Sequence, residues 1–251
     1  MSFPRFSPLM AASTPLAKME YSGGVQSKTL VIFLPGIDDL AEDFERRGII
    51  ADMRQYGITA DAIAVDAHYG YYAEEIIFQR ITDDVIVSAR RAGYAEIWLA
   101  GISLGGFGAS LYAARHAADI DGLMLFAPYL GDDTLIQEIA DAGGTRNWEP
   151  GHIAEGDYPR SLWAWFKHHL AKENPALPIY LGYGISDKFA RANALLAREL
   201  AQHQIFAIPG KHNWRTWKKI WKMLLPQWNK GFAESPCEPA QSSRGLCNPP
   251  V

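Results

Sequence analysis

The stretch YAEIWLAGISLGGFGASLYAARHA, residues 94–117, decides how the rest of the chain is organised. Residues 96–100 are mostly apolar and strand-forming, which is typical of a strand buried on both faces of a sheet. Apolar residues then recur at helical spacing, at Leu104, Phe107, Leu111 and Ala114. The segment between, GISLGG (residues 101–106), contains the pattern G-x-S-x-G. The stretch therefore predicts a buried strand that turns sharply into a helix at Ser103.

The geometry of this turn accounts for the residue types found in it. A chain that changes from strand to helix within a few residues holds its apex residue in a strained backbone conformation. Gly101 and Gly105 flank the apex, where a side chain would clash with neighbouring backbone. The Ser103 side chain is then exposed at a helix N-terminus, whose dipole stabilises negative charge. We predict that Ser103 is a nucleophile; the alternative is a glycine-rich turn of the kind that binds phosphate.

Composition restricts the class of protein. The chain has 251 residues, 48% of them hydrophobic, which is enough for one sizeable core. Its formal net charge is −4 and it has no basic run, so we expect no nucleic-acid partner. We expect no membrane span and no signal peptide, because the apolar runs are short. Both cysteines, Cys237 and Cys247, lie in the C-terminal tail, so no disulfide scaffold is predicted. The expected location is the cytoplasm.

Predicted strands and helices alternate along the chain. The strands are 28–34, 59–66, 96–100, 122–127, 178–183 and 204–208, with one short strand near 16–21. The main helices are 43–56, 74–92, 104–116, 189–203 and 214–228. This alternation predicts an α/β fold, with a mostly parallel central sheet and helices on both faces. The ligand crevice of such a fold lies at the carboxyl ends of the strands.

The chain is expected to form one domain. Residues 1–27 are predicted to be an irregular lead-in, 28–231 a single α/β domain, and 232–251 a disordered tail rich in proline and serine. The alternation is interrupted at about 130–175, where short helices at 134–142 and 162–170 predict a small helical cap over the crevice. We expect Trp163 in this cap, and Tyr71 after the strand 59–66, to contact substrate. The alternatives are core packing for Trp163 and a solvent-exposed hydroxyl for Tyr71.

Ser103 needs a general base, and the chain has seven histidines. His116 lies about three turns beyond Ser103 on the predicted helix, which is too far to reach it. His68 follows a strand at the correct edge of the sheet but precedes the nucleophile. His212 lies in the loop after the last predicted strand, and that loop emerges at the same edge as Ser103. We therefore predict that His212 is the base.

The base in turn needs an acid that orients the imidazole and stabilises its charged form. Asp187 directly follows the strand that precedes the histidine loop, and the order Ser103, Asp187, His212 is that of the hydrolase elbow class. Asp187 is the predicted acid. Its alternative role is to cap the following helix, and Asp132 and Asp133, after an earlier strand, are the other candidate acids.

The oxyanion formed by nucleophilic attack needs two preorganised N–H donors. The backbone amide of Leu104, which follows the nucleophile, is one predicted donor. The other should come from the loop after the strand 28–34, where Gly36 allows close approach of the backbone. Ile37 is the predicted second donor.

These residues together resemble the α/β-hydrolase fold serine esterases, in particular the feruloyl-esterase-like and small carboxylesterase branch. The resemblance covers residues 28–228. It is carried by four segments in the expected order: LPG (34–36), like the oxyanion loop; GISLGG (101–106), like the nucleophile elbow; GYGISD (182–187), like the acid loop; and GKHNW (210–214), like the histidine loop.

Two departures accompany the resemblance. Lys211 stands where that branch often has the second glycine of G-G-H-x-W, and at most one strand precedes residue 28 where the full fold has two. We therefore expect a sheet that is truncated at this edge.

The resemblance implies hydrolysis of small or medium carboxylic esters through an acyl-serine intermediate, with no metal and no organic cofactor. The same residues would also serve a thioesterase, an amidase or peptidase, or an acyltransferase. A non-catalytic binding protein of the same fold is a third interpretation. The sequence does not specify the oligomeric state.

Overall fold

The structure is a computed structural model that describes residues 10–24, 27–171 and 177–233, with side chains to residue 229. Its strands are β1 (Lys18–Tyr21), β2 (Thr29–Leu34), β3 (Asp61–Val65), β4 (Glu96–Ile102), β5 (Gly122–Phe126), β6 (Ile179–Gly184) and β7 (Ile205–Ile208). They form one seven-stranded sheet in the order β1-β3-β2-β4-β5-β6-β7. β1 is antiparallel to β3, and the other neighbouring pairs are parallel. The predicted mostly parallel sheet is confirmed, and the described residues include one strand before residue 28, as expected.

The apolar runs of the sequence form the centre of this sheet. β2 and β4 are buried at every position after their first residue, because helices cover both faces of the sheet. β1 instead alternates exposed and half-buried residues, as is typical of an antiparallel strand at an edge. The hydrophobic pattern therefore identifies the central strands, and the strand order places the end of β4 in the middle of the carboxyl edge.

Ten α-helices accompany the sheet within the described residues. They are α1 (Ala41–Arg46), α2 (Ile49–Gln55), α3 (Tyr69–Ala73), α4 (Ile77–Ile81), α5 (Val87–Arg91), α6 (Leu104–His116), α7 (Asp133–Asp141), α8 (Tyr158–Leu170), α9 (Ala190–Ala197) and α10 (Trp214–Ala233). A π-helical turn, Thr82–Ile86, joins α4 to α5. Within the described residues, none of the helices is long and apolar enough to cross a membrane.

Three predicted helices differ from those observed. The helix predicted at 43–56 is divided into α1 and α2 because Gly48 adopts a left-handed conformation with φ of 77°. The helix predicted at 74–92 begins only at Ile77, since Glu75 has φ of 58° and interrupts the chain after α3. The helix predicted at 189–203 is shorter, and a 3₁₀ turn, Gln202–Gln204, follows α9.

The segment between β5 and β6 contains α7 and α8, close to the two helices predicted there. α8 begins earlier than expected, because Asp157 accepts a hydrogen bond from the backbone N–H of Arg160 and proline occupies one of the first helical positions. Residues 172–176 and the predicted tail from residue 234, with both cysteines, lie outside the described residues. α10 itself reaches Ala233, just inside the predicted tail.

Candidate active site

Ser103 occupies the sharp turn between β4 and α6. Its backbone has φ of 52° and ψ of −110°, a conformation that costs a non-glycine residue about 1–3 kcal/mol. Three backbone hydrogen bonds hold it there. The Ser103 N–H donates to the carbonyl of Phe126 at 2.9 Å, and the Ser103 carbonyl accepts from the N–H groups of Phe107 and Tyr129, each at 3.1 Å. The strain predicted from the sequence is therefore present, and β5 and α6 maintain it.

The two glycines around Ser103 are required by close backbone approach. A Cβ atom on Gly101 would collide with the carbonyl of Gly105, and a Cβ atom on Gly105 would collide with the carbonyl of Leu34. The second contact packs the start of α6 directly against the end of β2 and Pro35. The elbow and the loop after β2 are therefore adjacent.

Ser103, Asp187 and His212 come together at the carboxyl edge of the sheet. The Ser103 Oγ lies 3.0 Å from Nε2 of His212, and Nδ1 of His212 lies 2.9 and 2.8 Å from the two carboxylate oxygens of Asp187. Ser103 was expected to be exposed, but it is buried at 6% exposure because the loops that carry Asp187 and His212 pack over the turn. Asp187 is also buried, whereas 15% of the His212 side chain is exposed. This arrangement can pass a proton from the serine hydroxyl to the imidazole and stabilise the resulting charge.

The other candidate acids and bases have different partners. The Asp132 carboxylate accepts from the N–H of Leu135 at 3.0 Å and caps α7, and His68 caps α3 by accepting from the N–H of Gly70 at 3.2 Å. His116 lies 3.7 Å from Asp119. Within the described residues, no group of three or more His, Cys, Asp or Glu side chains is placed to hold a metal ion.

The acid loop and the histidine loop pack against each other. Gly184 lies so close to the carbonyl of Gly210 that a Cβ atom would collide with it, and that carbonyl accepts from the N–H of Ser186 at 3.0 Å. Asp187 also accepts from the N–H of Phe189 at 2.8 Å. The N-cap residue of α9 is Phe189, and the helix has no side-chain capping hydrogen bond, so the alternative role of Asp187 as the helix cap is not observed. The Asp187 carboxylate instead closes the turn before the helix and contacts His212.

The two predicted oxyanion donors lie on the segments that meet at Gly105. Leu104 is the first residue of α6 and is buried. Ile37 lies in a turn that is closed by a hydrogen bond from the Asp39 N–H to the Gly36 carbonyl at 3.2 Å, and its side chain packs on the core. Their role as donors stays a prediction.

Aromatic rings surround the histidine. The Phe189 and Trp217 rings each form a T-shaped contact with the His212 ring, with centroids 5.0 Å apart. Phe189 contacts Tyr129 at 5.5 Å, and Tyr129 contacts Phe107 at the same distance. Sequence reasoning missed Phe189 as a site residue, since it was treated only as a helix start. The sequence feature that could have identified Phe189 is its position two residues after the predicted acid, Asp187.

A cavity of about 370 Å³ begins one helical turn beyond Ser103 along α6. It lies between α6, the helices α3 and α4, and the start of α8; its lining residues include Tyr69, Tyr72, Phe78, Phe107, Leu111 and Tyr158. The hydroxyl of Tyr72 is buried there without a hydrogen-bond partner among the described residues, and burial raises its pKa. Glu75 and Glu155 also border the cavity, and the Arg115 guanidinium lies over the rings of the lining residues Phe78 and Tyr158, at 4.6 and 5.2 Å.

A second cavity, of about 390 Å³, lies beside β1, β3 and α5. It is at the amino ends of β2 and β3, away from Ser103, which follows the carboxyl end of β4. Four of its polar side chains form pairs: the Tyr94 hydroxyl donates to Asp61 at 2.6 Å, and Lys18 lies 2.8 Å from Glu20.

The structure contradicts the predicted substrate contacts of Tyr71 and Trp163. Both side chains are 0% exposed and neither lines the cavity next to α6. The Tyr71 hydroxyl donates to the carbonyl of Ser13 at 3.0 Å, and Trp163 Nε1 donates to the carbonyl of Leu130 at 2.7 Å. Tyr69 and Tyr72 face the cavity instead, because residues three apart share one face of α3 whereas Tyr71 lies on another.

These features define the α/β-hydrolase fold, and comparison with solved structures confirms it. The chain is similar to Est1E from Butyrivibrio proteoclasticus, with a TM-score of 0.58 and 18% identity over 85% of this chain and 95% of that one. It is also similar to S-formylglutathione hydrolase FrmB from Staphylococcus aureus, with a TM-score of 0.56 and 14% identity over 80% of each chain. For a monoacylglycerol lipase from Paleococcus ferrophilus the TM-score is 0.52, with 15% identity over 84% of this chain and 99% of that one. No family model matches the sequence, and no curated protein matches it.

Proposed function

We propose that this protein is a serine hydrolase that cleaves carboxylic esters of small or medium size. The observation that carries this proposal is the distance of 3.0 Å between Ser103 Oγ and His212 Nε2, with the Asp187 carboxylate on the other ring nitrogen. A serine hydroxyl in this environment is activated because the adjacent base accepts its proton as the oxygen attacks.

The reaction proceeds through an acyl-serine intermediate. Ser103 Oγ attacks the ester carbonyl carbon while His212 Nε2 takes the hydroxyl proton, and Asp187 stabilises the imidazolium. His212 then gives that proton to the leaving alkoxide as the ester C–O bond breaks. Water repeats the sequence at the acyl-enzyme and regenerates the Ser103 hydroxyl. The backbone N–H groups of Leu104 and Ile37 donate to the oxyanion that forms in each half of the cycle.

The cavity along α6 is the proposed site of the acyl group. Its volume of about 370 Å³ is near the lower end of ligand pockets, and its aromatic walls favour an apolar or aromatic group. Est1E has been solved with ferulic acid bound, which is consistent with an aromatic acyl group on this fold.

A thioester, amide or acyl-transfer reaction would use the same three residues, and a binding protein would need none of them to be reactive. We favour ester hydrolysis because Est1E was solved with ferulic acid and another structural neighbour is named as a lipase. Thioester hydrolysis is the second candidate, because FrmB is named for a thioester substrate. The proposed partner is a small-molecule ester, and the proposed location is the cytoplasm.

Turnover of p-nitrophenyl esters of increasing acyl length tests this function. We expect hydrolysis of the short and medium esters, and its loss in Ser103→Ala. The control is Ser110→Ala, which removes a buried hydroxyl on the same helix that donates only to the carbonyl of Gly106. Turnover that survives in Ser103→Ala, or absence of turnover on every ester, would contradict the proposal.

A further inference from the structure

The loop that carries Ile37 is fixed to the rest of the protein by three carboxylates. Asp43 accepts from the N–H of Leu40 at 3.0 Å, and Asp66 accepts from the N–H of Ala41 at 2.6 Å. These two contacts join the end of the loop to α1 and to the residues after β3. The third carboxylate, Asp39, reaches a different part of the molecule.

Asp39 binds the first residue of α10. Trp214 Nε1 donates to Asp39 Oδ1 at 2.7 Å, and Trp214 lies two residues after His212. The other carboxylate oxygen, Oδ2, lies over Gly36, where a Cβ atom would come within 2.8 Å of it. The Asp39 N–H also donates to the Gly36 carbonyl and so closes the turn that contains Ile37. The Asp39 carboxylate therefore packs against the turn that contains the Ile37 amide.

The Trp214 ring is itself held firmly. Its edge-to-face contacts with Phe44 and Trp217 have centroid distances of 5.6 and 5.5 Å, and Trp217 meets the His212 ring at 5.0 Å. The Arg47 guanidinium lies over the Trp214 ring at 5.7 Å. A continuous series of contacts therefore runs from Asp39 through Trp214 and Trp217 to His212.

We propose that Asp39 is a positioning residue that holds the Ile37 amide at a fixed distance from His212 by means of its hydrogen bond to Trp214. This inference rests on the proposed function. An oxyanion develops only as the reaction proceeds, so a displaced donor weakens the transition state more than the bound substrate. Loss of the Asp39–Trp214 bond should therefore lower kcat and leave KM almost unchanged.

Four variants test the hydrogen bond: Asp39→Asn, Asp39→Leu, Trp214→Phe and the double variant Asp39→Leu/Trp214→Phe. Leucine has no acceptor, phenylalanine has no N–H, and asparagine keeps an acceptor oxygen. We expect Asp39→Leu and Trp214→Phe each to lower kcat about 10–100-fold and to change KM by less than about threefold. This fall in kcat is no larger than the fall caused by removing one oxyanion donor completely, about 100–1,000-fold. The double variant should be no slower than either single one, since all remove the same bond.

Asp39→Asn should recover most of the kcat, to within about threefold of the natural protein, because it preserves the acceptor. The matched control is Asp38→Leu, at the exposed neighbouring position of the same turn, which should change kcat less than about threefold. Rates are to be divided by the fraction of protein that a fluorophosphonate probe titrates, so that misfolded protein is not counted. The proposal would be overturned if the fall in kcat of the double variant equalled the product of the falls in the two single variants. An increase in KM at constant kcat in either single variant would also overturn it.

Hydrogen exchange measured by mass spectrometry tests the same bond without any substrate. We expect faster exchange in both residues 36–41 and residues 210–216 in Asp39→Leu and in Trp214→Phe, and no such change in Asp39→Asn. Faster exchange in only one of the segments would refute the link between them. A natural protein without esterase activity would refute the proposed function, whereas the exchange result would still decide whether Asp39 connects the two loops.

Discussion

Ser103 Oγ and His212 Nε2 lie 3.0 Å apart although 109 positions separate the two residues in the chain. The two residues are close because β4 and β7 run parallel and end at the same, carboxyl edge of the sheet. The loops that follow these two strands therefore lie on the same side of the sheet. The contact between the Gly184 and Gly210 segments then brings the acid loop and the histidine loop together. Asp187 is thereby placed on the far side of the imidazole.

Replacement of the acid should affect catalysis far more than folding. Asp187→Asn keeps the shape of the side chain but removes the charge that stabilises the imidazolium, and we expect kcat to fall by about 10²–10⁴. Steady-state kinetics on a short p-nitrophenyl ester measures this fall. Asp132→Asn, which alters the cap of α7, should keep its kcat and lose at most about 1 kcal/mol of stability. The reverse pattern would make Asp132 the acid.

Leu111 should set the length of the acyl group. It is buried, lines the cavity about two turns beyond Ser103, and contributes apolar surface at that depth. We expect Leu111→Ala to move the optimum of kcat/KM to longer p-nitrophenyl esters and Leu111→Phe to move it to shorter ones, with changes of about 10-fold. Ser110→Ala, on the same helix but outside the cavity lining, should leave the optimum in place. An optimum that stays constant in both Leu111 variants would exclude this cavity as the acyl site.

Glu138 should make the stability of the segment between β5 and β6 depend on pH. Arg160 donates to both of its carboxylate oxygens and Trp148 Nε1 donates to one of them, all at 2.7 Å, and these bonds lower the pKa of Glu138 to about 2. A depressed pKa stabilises the fold above the unfolded value of about 4.3, and this contribution is lost as the pH falls towards 2.

Glu138→Gln should therefore lower the free energy of unfolding, measured by urea denaturation at neutral pH, by less than about 1 kcal/mol because the carboxylate is partly exposed. The difference from the natural protein should shrink as the pH is lowered from about 5 to about 3. In an Arg160→Gln background the same substitution should have little effect, since its main partner is gone. A difference that is constant over this pH range would contradict the account.

The sequence predicts the elbow and the sheet well because their requirements are local. Only glycine avoids the backbone collisions at positions 101 and 105, and runs of buried apolar residues identify the central strands. The order of the loops along a parallel sheet then brings Ser103, Asp187 and His212 to one edge. These are constraints that a single chain carries in its residue types and their spacing.

Side-chain direction was less predictable. Tyr71 and Trp163 were expected at the substrate and lie in the core, because the face that a helical residue presents depends on where the helix begins. The helix containing Tyr71, α3, was not predicted as a separate element. The contact between Asp39 and Trp214 joins residues 175 positions apart and follows no periodic pattern, so nothing in the sequence indicates it.

The central claim is that Ser103 is an activated nucleophile, and covalent labelling tests it most directly. The protein is treated with a fluorophosphonate, and intact mass and peptide mapping then locate the adduct in the natural protein, in Ser103→Ala and in Ser110→Ala. We expect one adduct, on Ser103, in the natural protein and in Ser110→Ala, and none in Ser103→Ala. An unlabelled natural protein, or an adduct that persists in Ser103→Ala, would contradict the claim.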